Sequence, residues 1–419
     1  MEFPLRIQST LLISTLLILM LLVSGCGGKE ADESVSACSV INIGVITSLT
    51  NNNASGGTEL LRGIEMASDD LNAQGGILGC PLELIVIDDA SSNDMAQLAV
   101  KELVEDYQVP AIIGSFSSNA TTAAAGVANV YNIPLLVPSA SSDLITDLGY
   151  DWVFRVNAPA SSYARSALGF ASTIGNSMPI ETSAIIFSNT FFGESAAAVL
   201  VTQSRELDIE IVAYEPFSEG AANYKALLNR VSLEEPDVII IATNSLTSAR
   251  ILLDEIKTRA EIKPAMIVGL AGAFANPEFL TLGETAEKVF VTVQWSGDVS
   301  WVDKTGQDAP AFIQRFTERY GVPPGSRSLQ AYITTYVLAN AIENAGQEDK
   351  LDFSDPESMR QSIRGALKIT NMEQTLFGNI QFDENGQNNH PALIVQVIDG
   401  QYVTVFPKEV QAREAIIGP

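Results

Sequence analysis

The chain has 419 residues, 46% of them hydrophobic and 7% aromatic, which is enough apolar material for well-packed cores. Its 24 basic against 50 acidic side chains leave a net charge of −26, which repels phosphate backbones and anionic surfaces, so nucleic acid is not expected as a partner. One histidine, His390, and three cysteines supply no set of soft ligands for zinc or a redox metal, and neither metal nor cofactor is expected.

Arg6 stands before an apolar run from Leu11 to Val23. At about 13 residues the run has the length of a signal-peptide core and falls short of the roughly 20 a spanning helix needs. Leu21-Leu22-Val23-Ser24-Gly25-Cys26 resembles the lipobox of bacterial lipoproteins, in which small residues precede a cysteine that takes a diacylglycerol. The resemblance implies a signal peptide over 1–25, lipidation at Cys26 and a membrane anchor, with several acyl chains because one alone binds only marginally. Residues 26–38, rich in Gly, Ser, Glu and Asp, read as a solvated tether. The protein is therefore expected outside the cytoplasm, in the periplasm or on the outer face of the cell membrane.

The chain beyond the tether is too long for one ordinary core and suits two domains. Short apolar runs alternate with helical stripes, the pattern of parallel sheets wound with helices. Strand Ile41 to Ile46 precedes a helix with Leu60, Ile64, Ala67 and Leu71 on one face, stopped at Gly75-Gly76. Strand Leu82 to Ile87 ends at Asp88-Asp89 and leads to a helix presenting Ala96, Val100, Leu103, Val104 and Tyr107. Strands Ala111 to Ile113 and Leu135 to Val137 flank a helix from Asn119 to Tyr131. A second series starts after Pro159, with strands Ala184 to Phe187, Ile209 to Ala213, Val238 to Ile241, Ala265 to Val268 and Val289 to Val293. Its helices run from Tyr163 to Ile174, Glu194 to Glu206 and Tyr224 to Val231, and through Leu246, Ala249, Leu253 and Ile256. Helices Ala311 to Tyr320 and Leu329 to Ala345, a ribbon at Asn379 to Phe382, and strands Leu393 to Ile398 and Tyr402 to Phe406 complete the chain. The expected fold class is α/β, with two wound parallel sheets forming two lobes whose strand-end loops face a shared cleft.

Cys38 and Cys80 each lie two or three residues before an apolar run. If those runs are neighbouring parallel strands, the cysteines share one end of the sheet near the roughly 5.5 Å Cα separation a disulfide needs, and a Cys38–Cys80 bridge is expected.

Several segments in order resemble the type I periplasmic binding proteins of branched-chain amino acid (Leu/Ile/Val) ABC transporters. They are Ile43-Gly-Val-Ile-Thr47, Gly63-Ile-Glu-Met-Ala67, Asn72-Ala-Gln-Gly-Gly-Ile77, Asp88-Asp89, Ile113-Gly-Ser115, Pro134 through Ser141, Phe154-Arg155, Phe192-Gly193 and Ala331-Tyr332. The resemblance implies two Rossmann-like lobes with parallel sheets, the type I periplasmic binding protein fold, joined by three crossovers and closing by hinge bending. On that pattern lobe one is 39–157 plus 294–389, and lobe two is 158–293 plus 390–419.

The residues themselves indicate part of a site. Ser117-Ser118-Asn119 follows one strand and opens a helix, and Ser139-Ala140-Ser141-Ser142 follows the next, so backbone amides and hydroxyls face the cleft in a geometry that suits a carboxylate. Serine also caps helices whether or not anything binds. By resemblance, Ser118, the Ser139 main chain and Ser141 hold the ligand's carboxylate, with Ser117 and Ala140 in the same turns. Phe192 and Asn244 fall on the family's cleft tyrosines, and Ala271 falls where amino-acid binders carry the acid that pairs with an ammonium. Gly56 and Ala331 stand where those binders often place an aromatic ring, Asp143 or Asp298 are candidate substitutes for the acid, and Tyr332 is a candidate partner for an apolar tail.

The expected function is a solute-binding protein of an ABC importer, with a small-molecule solute, permease and ATPase subunits and a lipid-anchored membrane as partners. A ligand-sensing receptor domain that signals to a membrane partner is the alternative. No enzymatic activity is expected: Asp88-Asp89 before a Ser-Ser-Asn turn reads as local capping, Phe192-Gly-Glu-Ser-Ala196 is not a nucleophile elbow, and His390 before Pro391 reads as a loop residue.

Overall fold

The computed structural model describes residues 40–174, 180–348 and 351–418. The expected signal segment 1–25 and tether 26–38, with Cys26 and Cys38, lie outside the described residues.

Five parallel strands form the first sheet: β1 (Ile41–Thr47), β2 (Leu82–Asp88), β3 (Ile112–Gly114), β4 (Leu135–Val137) and β5 (Val153–Arg155), in the order β2-β1-β3-β4-β5. Between them run α1 (Ala54–Ala73), α2 (Asn93–Glu105), α3 (Ser118–Val130) and α4 (Leu144–Asp147). β3, β4 and β5 are buried at every position, as strands covered by helices on both faces must be. Ile41 pairs with Leu82 across β1 and β2, so the starts of these strands are neighbours, and Cys80 just before β2 is disulfide-bonded.

After α5 (Ala160–Ile174), the second sheet repeats the plan. Strands β6 (Thr182–Ser188), β7 (Glu210–Phe217), β8 (Val238–Ala242), β9 (Met266–Leu270) and β10 (Phe290–Val293) are parallel in the order β7-β6-β8-β9-β10, the same winding as the first sheet. Helices α6 (Phe191–Glu206), α7 (Lys225–Leu233) and α8 (Leu246–Thr258) connect the strands up to β9. The chain then returns to the first lobe with α9 (Ala309–Tyr320), α10 (Ser326–Glu348), α11 (Pro356–Lys368) and the ribbon β11 (Asn371–Thr375) and β12 (Gly378–Gln381). It crosses once more to add β13 (Leu393–Ile398) and β14 (Gln401–Phe406), both through antiparallel pairings, to the second sheet beside β10.

α1 and α10 pack together over the first sheet because α1 carries glycine where backbones meet. A Cβ at Gly63 would lie 2.1 Å from the Ser328 carbonyl oxygen of α10, while Gly57 gives the same close approach to the loop after β1, where a Cβ would lie 1.8 Å from the Ser48 carbonyl oxygen. Ala331 sits against Gly63 in this seam, with its Cβ 3.0 Å from where a Gly63 Cβ would be. It therefore belongs to helix packing and not to the cleft.

Six elements go beyond those the sequence pattern indicates: a 3-10 turn at Asn51–Asn53, β5, α4, a 3-10 segment at Pro277–Thr285, α11 and β11. β5 and α4 are too short to show a period. α11 starts on an Asp355 cap that accepts from the Glu357 and Ser358 amides and buries Met359, Ile363, Ala366 and Leu367 along one stripe.

Candidate functional site

In sheets of this winding the strand order reverses next to the first strand, between β1 and β3 in one lobe and between β6 and β8 in the other, and loops at the carboxyl ends diverge there to leave a crevice. Residues after β3, β4, β6, β8, β9 and β10 line one common cavity of about 20 Å³, a narrow space between the lobes.

The lobe-one wall is built from hydroxyls. Ser117 caps α3, its side chain accepting from the Ala120 amide at 3.2 Å, and does not line the cavity. Ser118, the first residue of the helix, lines it. The Ser118 hydroxyl oxygen accepts from the amides of Ser141 at 3.2 Å and Ser142 at 3.0 Å, which stitches the two serine loops together. With its lone pairs engaged by amides, that hydroxyl has its own proton left to give. Ser139, Ala140 and Ser141 also line the cavity. The Ser139 hydroxyl is buried without a hydrogen-bond partner, whereas the Ser141 hydroxyl donates to the Ser139 carbonyl at 3.1 Å and accepts from the Asn157 amide at 2.8 Å.

Arg155 braces this loop from behind. It is fully buried and donates from Nη1 to the Ser142 carbonyl at 2.5 Å, from Nη2 to Thr146 Oγ1 at 3.0 Å and from Nε to Gln387 Oε1 at 2.5 Å. Burial pushes its pKa down to about 10 against the pull of Asp143 and Asp147, so it remains charged at neutral pH and adds positive potential behind the serines.

The lobe-two wall carries no charge. Thr190 caps α6 by accepting from the Gly193 amide at 3.2 Å, and this turn presents the buried Phe192 ring. Asn244 is held by its amide, which donates to Glu219 Oε1 at 3.0 Å. Ala271 offers only a methyl group, with its amide tied to Thr292 Oγ1 at 2.9 Å. Next to it Gly272 has φ +47°, and a Cβ there would lie 2.2 Å from the Thr243 carbonyl oxygen, so position 272 adds no side chain either.

Arg327, near the start of α10, joins the site without a signal in the local sequence. Its Nη1 lies 3.6 Å from Glu59 Oε2, its Nη2 donates to the Gly272 carbonyl across the cleft, and its guanidinium carbon is 5.1 Å from the centroid of the Phe116 ring. Phe116 in turn lies over Gly56, where a Cβ would come within 2.2 Å of the ring. An aromatic ring is thus present beside position 56, delivered from the β3 loop. Burial raises the pKa of Glu59, opposed chiefly by Arg327.

Three amide side chains, one from each crossing between the lobes, meet beneath the cavity. Asn157 Oδ1 accepts from the Tyr163 hydroxyl at 2.9 Å and from Gln330 Nε2 at 3.0 Å. Gln330 Nε2 also donates to Gln294 Oε1 at 3.0 Å, and Gln387 Nε2 donates to the Asn157 carbonyl at 2.8 Å. Asn157 Nδ2 reaches the Ser139 carbonyl at 2.6 Å, so the crossovers and the serine loop share one network.

The remaining candidates fall elsewhere. Asp143 accepts from the Ser161 amide at 3.1 Å and Asp298 from the Thr404 amide at 2.8 Å, and neither lines the cavity. The Tyr332 hydroxyl donates to Asp70 at 2.8 Å and its ring packs on Phe312, away from the cleft. Asp88 and Asp89 are occupied by local donors, Leu49, Thr50 and Ala90 for the first and Ser48, Ser91 and Ser115 for the second. Although burial pulls the other way, those hydrogen bonds hold the Asp88 pKa below its usual value. His390 is in a loop but buried, with its ring stacked on Phe377 at 5.0 Å and edge-on to Trp301 at 5.3 Å. Among the described residues no group of His, Cys, Asp and Glu side chains is arranged to hold a metal ion.

A family model described as periplasmic binding protein matches residues 40–401. This chain belongs to the periplasmic binding protein family. It is 26% identical over 363 residues to Leu/Ile/Val-binding protein homolog 7 of Brucella melitensis biotype 1, covering 84% of this chain and 87% of the relative. The fold matches the type I periplasmic binding protein structures. The branched-chain amino acid binding protein LivJ of Streptococcus pneumoniae, in complex with isoleucine, superposes with a TM-score of 0.74 at 23% identity, covering 90% of this chain and all of that one. A solute-binding protein of an ABC transporter from R. palustris, in complex with benzoate, superposes with a TM-score of 0.75 at 17% identity, covering 90% and 99%. Members of this family are binding proteins.

Proposed function

We propose that the chain is the lipid-anchored, extracytoplasmic solute-binding component of an ABC importer, and that it takes an amino acid of branched-chain type or a related small carboxylate or amide between its lobes. The observation that carries this reading is the pair of serine loops at the tips of β3 and β4, joined through the Ser118 hydroxyl and opposed across a narrow cavity by Phe192, Asn244 and Ala271. A carboxylate there accepts a hydrogen bond from the Ser118 hydroxyl and lies at the start of α3, in the favourable field of a helix N-terminus.

Binding of isoleucine by one structural relative and benzoate by another supports a carboxylate as the shared feature. Of the two, the cleft accords better with a ligand that has no ammonium, since Ala271 supplies no counter-charge and a buried ammonium without a partner costs several kcal/mol. The lobes, 39–157 plus 294–389 and 158–293 plus 390–419, rotate about the crossovers bearing Asn157, Gln294 and Gln387. A ligand first held by lobe one favours closure because only the closed form adds the lobe-two contacts. The Cys26 anchor keeps the loaded protein at the membrane where permease and ATPase subunits collect the solute, and a Cys38–Cys80 bridge pins the start of β1 beside β2.

A thermal-shift screen over amino acids, amides, aromatic acids and short carboxylic acids tests the reading. A true ligand at a hundred times its Kd stabilises by about 2.7 kcal/mol, and a screen without any stabilising carboxylate contradicts it.

A further inference from the structure

The cavity's only charged lining residue among the described residues is a cation, Arg327, and no acidic side chain lines it. Arg327 pairs with the buried Glu59, but that pairing does not use up its donors. Its contact with Glu59 is a single 3.6 Å approach, both Glu59 oxygens lack a hydrogen bond of good geometry, and one guanidinium N–H is given to the Gly272 carbonyl on the opposite lobe. A guanidinium has five N–H donors, so donors remain for a ligand, and the buried, unpartnered Ser139 hydroxyl lines the same cavity. The Phe116 ring under the guanidinium and the low exposure of its side chain, 8%, hold it in place and keep water from screening it. Arg327 also faces Ala271-Gly272, and its partner Glu59 does not line the cavity, so an ammonium entering the cleft meets the guanidinium with no carboxylate of its own to pair with.

We propose that Arg327 is a specificity-determining ligand contact, and that the solute is a small carboxylate carrying a second oxygen acceptor, a carboxylate or carbonyl, and no ammonium. The second group replaces the Gly272 carbonyl on the guanidinium while the first carboxylate sits on the serine loops. This rests on the cleft reading above and adds the chemical class of the solute.

Three five-carbon probes of similar size separate the possibilities: glutarate with two carboxylates, valerate with one, and L-norvaline with one carboxylate and an α-ammonium. Titration calorimetry on the full chain is expected to show glutarate binding at least about tenfold tighter than valerate, the scale of hydrogen bonds to a charged group, and norvaline weakest. Because Arg327→Met alone strands Glu59, the decisive variant is Glu59→Gln with Arg327→Met, checked for folding by its melting transition. It should bring glutarate and valerate within about twofold of each other, while Arg327→Lys retains part of the preference. Norvaline binding tightest, glutarate failing to bind, or an unchanged glutarate preference in the double variant overturns the assignment of Arg327. Ser118→Ala with Ser141→Ala distinguishes the two failures. If it abolishes binding while Arg327 variants do nothing, the cleft stands and Arg327 falls, and if it leaves all three affinities unchanged, the cleft itself is wrong.

Discussion

The two walls of the cleft are made of different chemistry. Lobe one offers hydroxyls, helix-start amides and buried guanidinium groups, locked by the Ser118 bridge and by Arg155. Lobe two offers a ring, an amide and a methyl group. Since the winding of the two sheets is the same, the difference lies in what the sequence places at equivalent strand tips and in the arginine that α10 adds to lobe one. Affinity is therefore concentrated on lobe one, and lobe two supplies shape and the exclusion of water.

The contrast breaks most visibly at Ser118 and Ser141. Replacing both by alanine removes the Ser118 donor from the carboxylate subsite, worth roughly 1.5–3 kcal/mol to a charged group, and unties the Ser139 carbonyl and Asn157 from Ser141, so affinity for the best ligand of the thermal screen should fall about tenfold to a hundredfold by calorimetry. A fall of less than tenfold would shift the binding burden to lobe two. The same variant should melt somewhat lower, because the Ser141 and Ser142 amides lose their acceptor.

Arg155→Met probes the brace. Removing a buried cation leaves the Ser142 carbonyl, Thr146 Oγ1 and Gln387 Oε1 without their donor, and a loss on the order of 3–5 kcal/mol in denaturant unfolding is expected. Unchanged stability would show that the serine loop holds its shape unaided.

His390 gives a pH test at the third crossover. Burial lowers its pKa from 6.5 to about 4. The unfolded chain takes up a proton as pH falls below about 6.5, while the folded imidazole resists until about pH 4, so stability is lost across that window, by at most about 3 kcal/mol. His390→Phe keeps the stack on Phe377 and should flatten that part of the stability–pH profile. A profile identical to the parent's would remove His390 from the acid response.

The smallest effect is expected on lobe two, where Asn244→Ala should weaken binding only about tenfold or less, the worth of one neutral hydrogen bond. A loss as large as that at Ser118 would erase the contrast between the walls.

Much of this is legible in the sequence for a physical reason. Buried parallel strands read as apolar runs, and the serine clusters follow two of them directly, so Ser118, Ser139 and Ser141 can be placed at strand tips from the residues alone. Arg327 cannot. It lies on a helix far along the chain and enters the cleft only because α10 packs across α1 at Gly63. For the same reason Ala331, one turn later, faces the seam although the family pattern points it toward the cleft. Tyr332 shares that seam, and its hydroxyl goes to Asp70. α11 is hidden although Asp355-Pro356 is a helix-start signal, because its exposed face is so polar that the stripe from Met359 to Leu367 is diluted.

The most direct test of the central claim is a crystal structure of the full chain with the carboxylate that stabilises it most. One carboxylate oxygen is expected within about 3 Å of Ser118 Oγ, hydrogen-bond distance for a hydroxyl, with the remainder of the molecule against Phe192 and Arg327. A ligand bound away from the β3 and β4 serine loops, or one whose carboxylate rests on lobe two, would contradict it.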